Sequence, residues 1–362
     1  FSTQHYMSCF KLSAFTKRKM GYLVVLFVAV LAAFGRPAAC SDTPGFACKS
    51  PISHCRAMVG FVPENKTTIN AVKKLFGITD IGNLLAANGL PASTPETQSV
   101  NPSQALKIPF NCSCSASAGV VSNPPTYTVK SGDILDNIAS KVFSHLVTYQ
   151  QIAAYNNISN PNLITVGEKL SIPLPCSCDQ IAGVYVLHYG HVVAAGSSIP
   201  AIAKQFNVSE DIVMSLNNIA NASLLQANQL LDIPLPVCSS KVIKDSLDYP
   251  MLVPDGTYFY TANDCVNCSC NMERNFELQC SRSSVQNLTC PLMDCGTTSL
   301  GTTTNSSGCI NTCSYRGFEG GAIMNQLEFS CLAAKTGAAP AKFNSWKLSL
   351  IPIFAVLSAY IL

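Results

Sequence analysis

Charge is scarce in this sequence: Asp, Glu, Lys and Arg make up 12% of its 362 residues, and the net charge is +3. A nucleic-acid binder would carry a basic stripe, so this balance suits a neutral ligand. Histidine is rare as well. All five lie at or before His191, which leaves Cys265-x-x-Cys268-x-Cys270 without an imidazole nearby to complete a mixed zinc site. No metal and no cofactor is expected. Acids are too sparse to suggest the paired carboxylates of a glycoside hydrolase. Glu210 and Asp211 fall at an expected helix start, and neither a Gly-x-Ser-x-Gly nor a His-Glu-x-x-His motif occurs. No enzymatic activity and no catalytic residue is expected.

Long apolar runs are lacking too. The run from Tyr22 to Phe34 is short of the about 20 residues a spanning helix needs. It follows Lys17-Arg18-Lys19 and precedes the small residues Ala38-Ala39-Cys40-Ser41. Basic segment, apolar run and small residues make a secretory signal over 1–40, with Met7 or Met20 as the expected start. At the other end Leu348 to Leu362 is apolar, contains Pro352 and has no basic residue after it. Small residues Gly337, Ala338 and Ala339 and a spacer from Pro340 to Lys347 precede it. This is the pattern of a GPI-attachment signal: a stalk over 332–347 and a removed tail over 348–362. The expected location is the extracellular face of the plasma membrane.

Cysteine, by contrast, is abundant, at 18 residues. Sixteen of them, from Cys48 to Cys331, lie beyond the expected signal, and an even, dense set in an exported chain reads as disulfides. Asn-x-Ser/Thr sequons at Asn65, Asn111, Asn157, Asn207, Asn221, Asn267, Asn287 and Asn305 agree with export.

Internal repetition organises the middle of the chain. Leu170-Ser-Ile-Pro-Leu-Pro-Cys176 recurs as Leu231-Asp-Ile-Pro-Leu-Pro-Val-Cys238 and, more loosely, as Leu106-Lys-Ile-Pro-Phe-Asn-Cys112. From Asn157 to Ile172 and from Asn218 to Ile233 is fifteen residues, whereas Asn88 to Ile108 is twenty, so the first copy has a longer second loop. The middle copy reads most clearly. Thr126 to Lys130 alternates as a short strand. Ser131-Gly132-Asp133 makes a turn whose Asp caps the following helix. Ile134, Leu135, Ile138, Ala139 and Val142 then recur at helical spacing. A second helix runs over about 148–154, Asn156-Asn157 ends it, and a loop leads to a closing strand. The order is β-α-α-β. The third copy repeats it with helices over 199–206 and 209–216, and the first with helices over 69–75 and 81–87. After Cys238 the periodicity stops and a Cys-rich, mainly β and loop region over 239–331 follows. The fold class is α+β.

The strand, Gly-Asp turn, two helices, Asn-Asn-Ile, Asn-Pro-Asn and closing Leu-x-Ile-Pro resemble the LysM module. Three such modules separated by Cys112-Ser-Cys114 and Cys176-Ser-Cys178, between a secretion signal and a lipid-anchor signal, resemble the plant LysM-containing GPI-anchored proteins. The segments Leu146 to Ala154, Asn156 to Asn162 and Ile172 to Asp179 are most similar to the chitin elicitor-binding branch. The resemblance implies modules over 56–110 (degenerate), 126–174 and 185–236. It also implies the pairings Cys48–Cys114, Cys55–Cys178 and Cys112–Cys176. It further implies a binding groove between the loop after the first strand and the loop after the second helix. In the middle module these are Gly132, Asp133 and Ile134, with Ile158, Ser159, Asn160, Pro161, Asn162 and Leu163. Backbone groups in such turns pair with an acetamide, and Ile158 or Leu163 lies against a ring or methyl; both fit a core role equally. Gly132-Asp133 equally fits a plain turn and cap. The third copy has Gly196-Ser197 and Asn221-Ala-Ser in these places, the first has neither motif, and the middle module is expected to carry most of the affinity.

The implied function is a receptor subunit for chitin or related N-acetylglucosamine oligosaccharides that works in defence through a LysM receptor-like kinase, with a homodimer bridged by ligand. Peptidoglycan binding and a non-signalling tether to extracellular glycan are the alternatives.

Overall fold

The computed structural model describes residues 45–331 except 51, 103, 116, 275, 286, 287, 307 and 308. The expected signal over 1–40, the stalk and tail over 332–362 with Gly337, Ala338 and Ala339, and the sequon residue Asn287 lie outside the described residues. The chain divides into two units, one ending at Pro236 and one beginning at Val237.

The first unit contains the β-α-α-β order three times. The first copy is built from β1 (Phe46–Cys48), β2 (His54–Phe61), β3 (Thr67–Thr68), α1 (Ile69–Leu75), α2 (Ile81–Ala87), β4 (Ser99–Val100), β5 (Leu106–Ser115) and β6 (Ser117–Val121). The second has β7 (Thr126–Thr128), α3 (Leu135–Asn137), a π turn (Ile138–Val142), α4 (Tyr149–Tyr155), β8 (Lys169–Ser171) and β9 (Pro175–Cys176). The third has β10 (Leu187–Val192), α5 (Ile199–Phe206), α6 (Glu210–Leu216), a 3-10 turn (Ala222–Leu224) and β11 (Leu230–Leu235).

Helix starts follow from short polar side chains that accept otherwise orphaned N–H groups. Thr68 accepts from Ala71 N, Asp80 from Gly82 N and Ser198 from Ala201 N. Thr148 and Gln151 form a reciprocal capping box. The opening and closing strands of each copy pair antiparallel with the same register: Phe61 opposite Leu106, Tyr127 opposite Leu170, His191 opposite Leu231.

This equivalence exposes a contact made three times. Phe61 meets Phe76 edge-on with ring centroids 5.1 Å apart, Tyr127 meets Phe143 at 6.1 Å, and His191 meets Phe206 at 5.0 Å. In each copy an aromatic ring on the opening strand packs against one at the end of the first helix, the offset geometry that ring quadrupoles favour. Phe76 and Phe143 also touch edge-on at 5.8 Å, so the first two copies share one hydrophobic core. The first and third copies join through the sheet. β2 and β10 pair in parallel, giving the strand order β1-β6-β5-β2-β10-β11. That crossing needs glycine: a Cβ at Gly60 would stand 2.0 Å from the Tyr189 hydroxyl.

A second recurrence locks each copy shut. Asn156, at the end of α4, donates from Nδ2 to Ile152 O and Ser171 O, and its Oδ1 accepts from Ser171 N, all near 2.8 Å. Asn88 does the same with Leu84 and Lys107, and Asn217 with Val213 and Asp232. The clamped residue lies fifteen positions on from Asn156 and Asn217 but nineteen on from Asn88. Hence Asn88 corresponds to Asn156 rather than Asn157, and the first copy's second loop is longer by four residues, not the five expected. The next residue, Asn157 or Asn218, takes a left-handed conformation (φ 57 and 54), as Gly89 does in the first copy. Bonds from Ile158 N to Ala153 O, Ile219 N to Met214 O and Leu90 N to Leu85 O complete the helix ends.

The first helix of the middle copy departs from expectation. Ile134 is extended (φ −127) and caps the helix instead of joining its buried face. After three α-helical residues the chain widens into the π turn, closed by Phe143 N donating to Ile138 O. The wider turn carries Phe143 inward, fully buried between Phe76 and Tyr127.

Disulfides join Cys48 to Cys114, Cys55 to Cys178 and Cys112 to Cys176, the pairing that the family resemblance implies. All three tie the Cys-x-Cys connectors to strands of the first copy.

The second unit is mainly β: β12 (Tyr258–Thr261), β13 (Val266–Ser269) and β14 (Gln279–Arg282) form one sheet, β15 (Asp294–Cys295) and β16 (Thr298–Ser299) a second, and β17 (Thr303–Ser306), β18 (Cys309–Glu319) and β19 (Ala322–Cys331) a third. Five disulfides hold it: Cys238–Cys270, Cys265–Cys290, Cys268–Cys280, Cys295–Cys313 and Cys309–Cys331. The thiols of the Cys265-x-x-Cys268-x-Cys270 cluster are thus used in three separate bridges. The cysteine triplets of the first unit whose sulfurs approach one another are likewise disulfide partners.

Candidate functional site

In the middle copy two turns flank the end of the short β7–β8 ribbon. The first runs over 130–133, closed by Asp133 N donating to Lys130 O at 3.2 Å. Gly132 has φ +87, and a Cβ there would meet nothing within 4 Å, so its backbone faces open space. Asp133 does not cap the following helix as expected. Its Oδ2 accepts from Lys130 N at 2.7 Å and from the Tyr127 hydroxyl at 2.9 Å. The carboxylate therefore pins the turn to the strand before it. Burial, the hydrogen bond to Asp133 and the Asp133 charge together push the Tyr127 hydroxyl up to about 12, so it remains the donor. The Lys130 ammonium stands 5.6 Å over the Tyr127 ring.

The second loop folds on itself. Asn162 N donates to Asn160 Oδ1 at 3.1 Å and Leu163 N to Asn160 O at 3.0 Å, an Asx turn inside a β-turn with Pro161 at its favoured place. A second tight turn follows: Thr165 N donates to Glu168 Oε2, and Glu168 N to Thr165 O. Both loop carboxylates, Asp133 and Glu168, thus accept from their own turns.

These turns hold apolar side chains in water. Ile134 is 51% exposed and Leu163 is 73% exposed. Ile158 differs: it is half-buried and packs on the core, so of the two aliphatic candidates Leu163 faces out and Ile158 faces in. Ser159, Asn160 and Asn162 are exposed and Pro161 is half-buried. Asn157 is exposed, and its type is accounted for by its left-handed backbone.

The third copy builds the same loops with other residues. Ser197 N donates to Ala194 O, Ser223 N to Asn221 Oδ1, Leu224 N to Asn221 O, and Gln226 N to Gln229 Oε1. The turn of the middle copy is present here too, with Ala222 in place of Pro161 and Ser223 in place of Asn162. What the third copy lacks is the Tyr127–Asp133 bond, because His191 and Ser197 stand in those places. Burial lowers His191 to about 4. Near it, burial alone would also lower His188, but the Asp232 carboxylate 2.9 Å from Nδ1 and the Asp179 carbonyl 2.8 Å from Nε2 outweigh it and raise its pKa.

The first copy builds its second loop differently. Its longer second loop forms β4, which pairs with β3, and sends Gln98 O and Glu96 O to the N–H groups of Ile69 and Asn70 at 3.0 and 2.9 Å. Lys73 and Glu96 add an ion pair at 2.6 Å. The sequence signal for this is the loop length; the paired aromatics and the Asn clamps show only when the copies are aligned by strand register.

Disulfide-tied β-α-α-β units with two turn loops at one end define the chain as a LysM protein, and the LysM domain model matches residues 127–173 and 191–234. The chain is 44% identical to LysM domain-containing GPI-anchored protein 2 of Arabidopsis thaliana, over 67% of this chain and 69% of that protein. It is 38% identical to Chitin elicitor-binding protein of Oryza sativa subsp. japonica, over 84% of this chain and 87% of that one. It belongs to the family of LysM domain-containing GPI-anchored proteins. Among solved structures, the crystal structure of the ectodomain of a receptor like kinase matches 52% of this chain and 94% of its own length, with 19% identity and a TM-score of 0.43. Neither of the two sequence relatives bears an enzyme's name.

Proposed function

We propose that this protein is a cell-surface receptor subunit that binds chitin oligosaccharides through its middle LysM module and signals through a partner LysM receptor-like kinase. The observation that carries the reading is the pair of self-bonded turns that hold Ile134 and Leu163 in solvent. A β-1,4-linked N-acetylglucosamine chain offers what such a surface takes: apolar ring faces and methyls for the side chains, and acetamides for turn backbone. The turns are ordered before binding, which lowers the entropic cost of association. Identity to a relative named for binding a chitin elicitor supports the ligand class.

Within this reading Ile134 and Leu163 are contact residues, Gly132, Ser159 and Asn162 supply backbone, and Asp133, Asn160 and Pro161 set its shape. The first copy is a third LysM module, supported by its Asn88 clamp and Phe61–Phe76 pair, with its groove closed. A GPI anchor, supported by the small-residue, spacer and apolar-tail pattern and by the relatives' names, leaves inward signalling to a partner. Among the described residues no helix is long and apolar enough to cross a membrane.

Calorimetric titration of the purified protein with chitin oligomers tests the ligand. Saturable heat whose tighter component Leu163→Asp removes is expected; tighter binding of peptidoglycan fragments would overturn the chitin assignment. Phospholipase treatment of intact cells tests the anchor, with release expected and retention counting against it. Kinase co-precipitation that rises on adding oligomer separates a receptor from a tether.

A further inference from the structure

We infer that the third copy carries a second binding site for β-1,4-linked N-acetylglucosamine oligomers, equivalent in backbone to the middle one, while the first copy has none. The inference rests on the reading of the middle module given above.

Four backbone devices of the middle site recur in the third copy at matching positions. Gly196 has φ +81 with open space where a Cβ would stand, as Gly132 does. The turn bond Ser197 N to Ala194 O, at 3.1 Å, repeats Asp133 N to Lys130 O. Asn221 accepts Ser223 N on its Oδ1 at 2.9 Å and Leu224 N on its carbonyl at 2.9 Å, as Asn160 does for Asn162 and Leu163. Asn228 N donates to Val193 O as Gly167 N does to Val129 O. The result is the same exposed leucine: Leu224 is 61% exposed at the position of Leu163.

The copies differ in how firmly the early turn is held. Without the Tyr127–Asp133 bond the third site orders its turn less well, so it binds the same oligomer more weakly. In the first copy β4 and the carbonyls of Glu96 and Gln98 already lie against the start of α1, so an oligomer finds its place taken by the chain itself.

The test is titration of the full-length protein with an N-acetylglucosamine tetramer. It is made in a Ser223→Ala background, which removes the sequon at Asn221 and keeps the backbone bond of the turn. Two oligomers per chain are expected, falling to one with Leu224→Asp, to one with Leu163→Asp and to none with both. One oligomer per chain, weakened tenfold or more by either substitution, would mean that it spans both surfaces and also supports the inference. A single site that Leu163→Asp abolishes and Leu224→Asp leaves untouched overturns the second site and leaves the middle one standing. No heat from the unsubstituted leucines overturns both. Thermal midpoints check the fold, and Leu224→Asn replaces the aspartate variant if that one is unfolded.

Discussion

The Tyr127 hydroxyl donates to Asp133 Oδ2 at 2.9 Å, and that one contact couples the strand, the early turn and the aromatic core of the middle module. It makes Asp133 a positioning residue. Tyr127→Phe removes one hydrogen bond, worth about 1 kcal/mol of stability, and weakens oligomer binding several-fold by loosening the turn. Leu163→Asp does the opposite, abolishing binding at the middle site with the thermal midpoint unchanged. Denaturation and titration of the two variants side by side check the distinction.

The Asn clamps predict a graded pair of effects. Asn156→Ala deletes three hydrogen bonds, one back to Ile152 in α4 and two to Ser171 in β8, at about 1 kcal/mol each, so roughly 3 kcal/mol of stability is lost. Asn157→Gly keeps the left-handed backbone and costs only a few tenths of that, although it removes a sequon. Chemical denaturation of both variants reads the difference.

Buried His188 and half-buried His191 give opposite pH signatures. His191 resists protonation until about 4 in the folded state, while the unfolded chain takes up a proton near 6.5. Stability relative to His191→Phe therefore declines as pH falls from about 6.5 toward 4 and is constant above that window. His188 has a raised folded pKa, so its contribution is complete below 6.5 and is lost as pH rises through the raised value. His188→Gln leaves Asp232 buried without its charged partner, at a cost of about 3–5 kcal/mol below pH 6.5. Thermal midpoints of the three proteins across pH 4 to 8 test both signs.

Cys55–Cys178 closes the longest loop, with a sequence separation of 123. Replacing both residues with Ala costs roughly 4–5 kcal/mol by the chain-entropy estimate. The loss is read as a lower denaturation midpoint.

Much of this fold is legible in the sequence because each copy is short and locally consistent. The helices Ile69–Leu75, Ile81–Ala87 and Ile199–Phe206 occupy the expected spans, since capping residues and apolar spacing agree there. The π turn after α3 is not legible. It seats Phe143 against Phe76 of another copy, and periodicity within one segment carries no trace of that partner. For the candidate site, spacing marks the two turns but does not sort their residues. Ile158 and Leu163 are alike in sequence, and only the packing of the core separates the inward residue from the outward one. Asp133 looks like a helix cap until Tyr127, six residues earlier, is seen to share its carboxylate.

In the proposed function, the exposed turns of the middle module bind chitin oligosaccharides. The most direct measurement is a side-by-side titration of the intact protein and Leu163→Asp with chitin, peptidoglycan and lipo-chitooligosaccharide fragments. Tightest binding to chitin, with a loss of at least tenfold in the variant at an unchanged thermal midpoint, is the predicted result. Chitin binding that is absent, or equally strong in the variant, would overturn the assignment of the site to these turns.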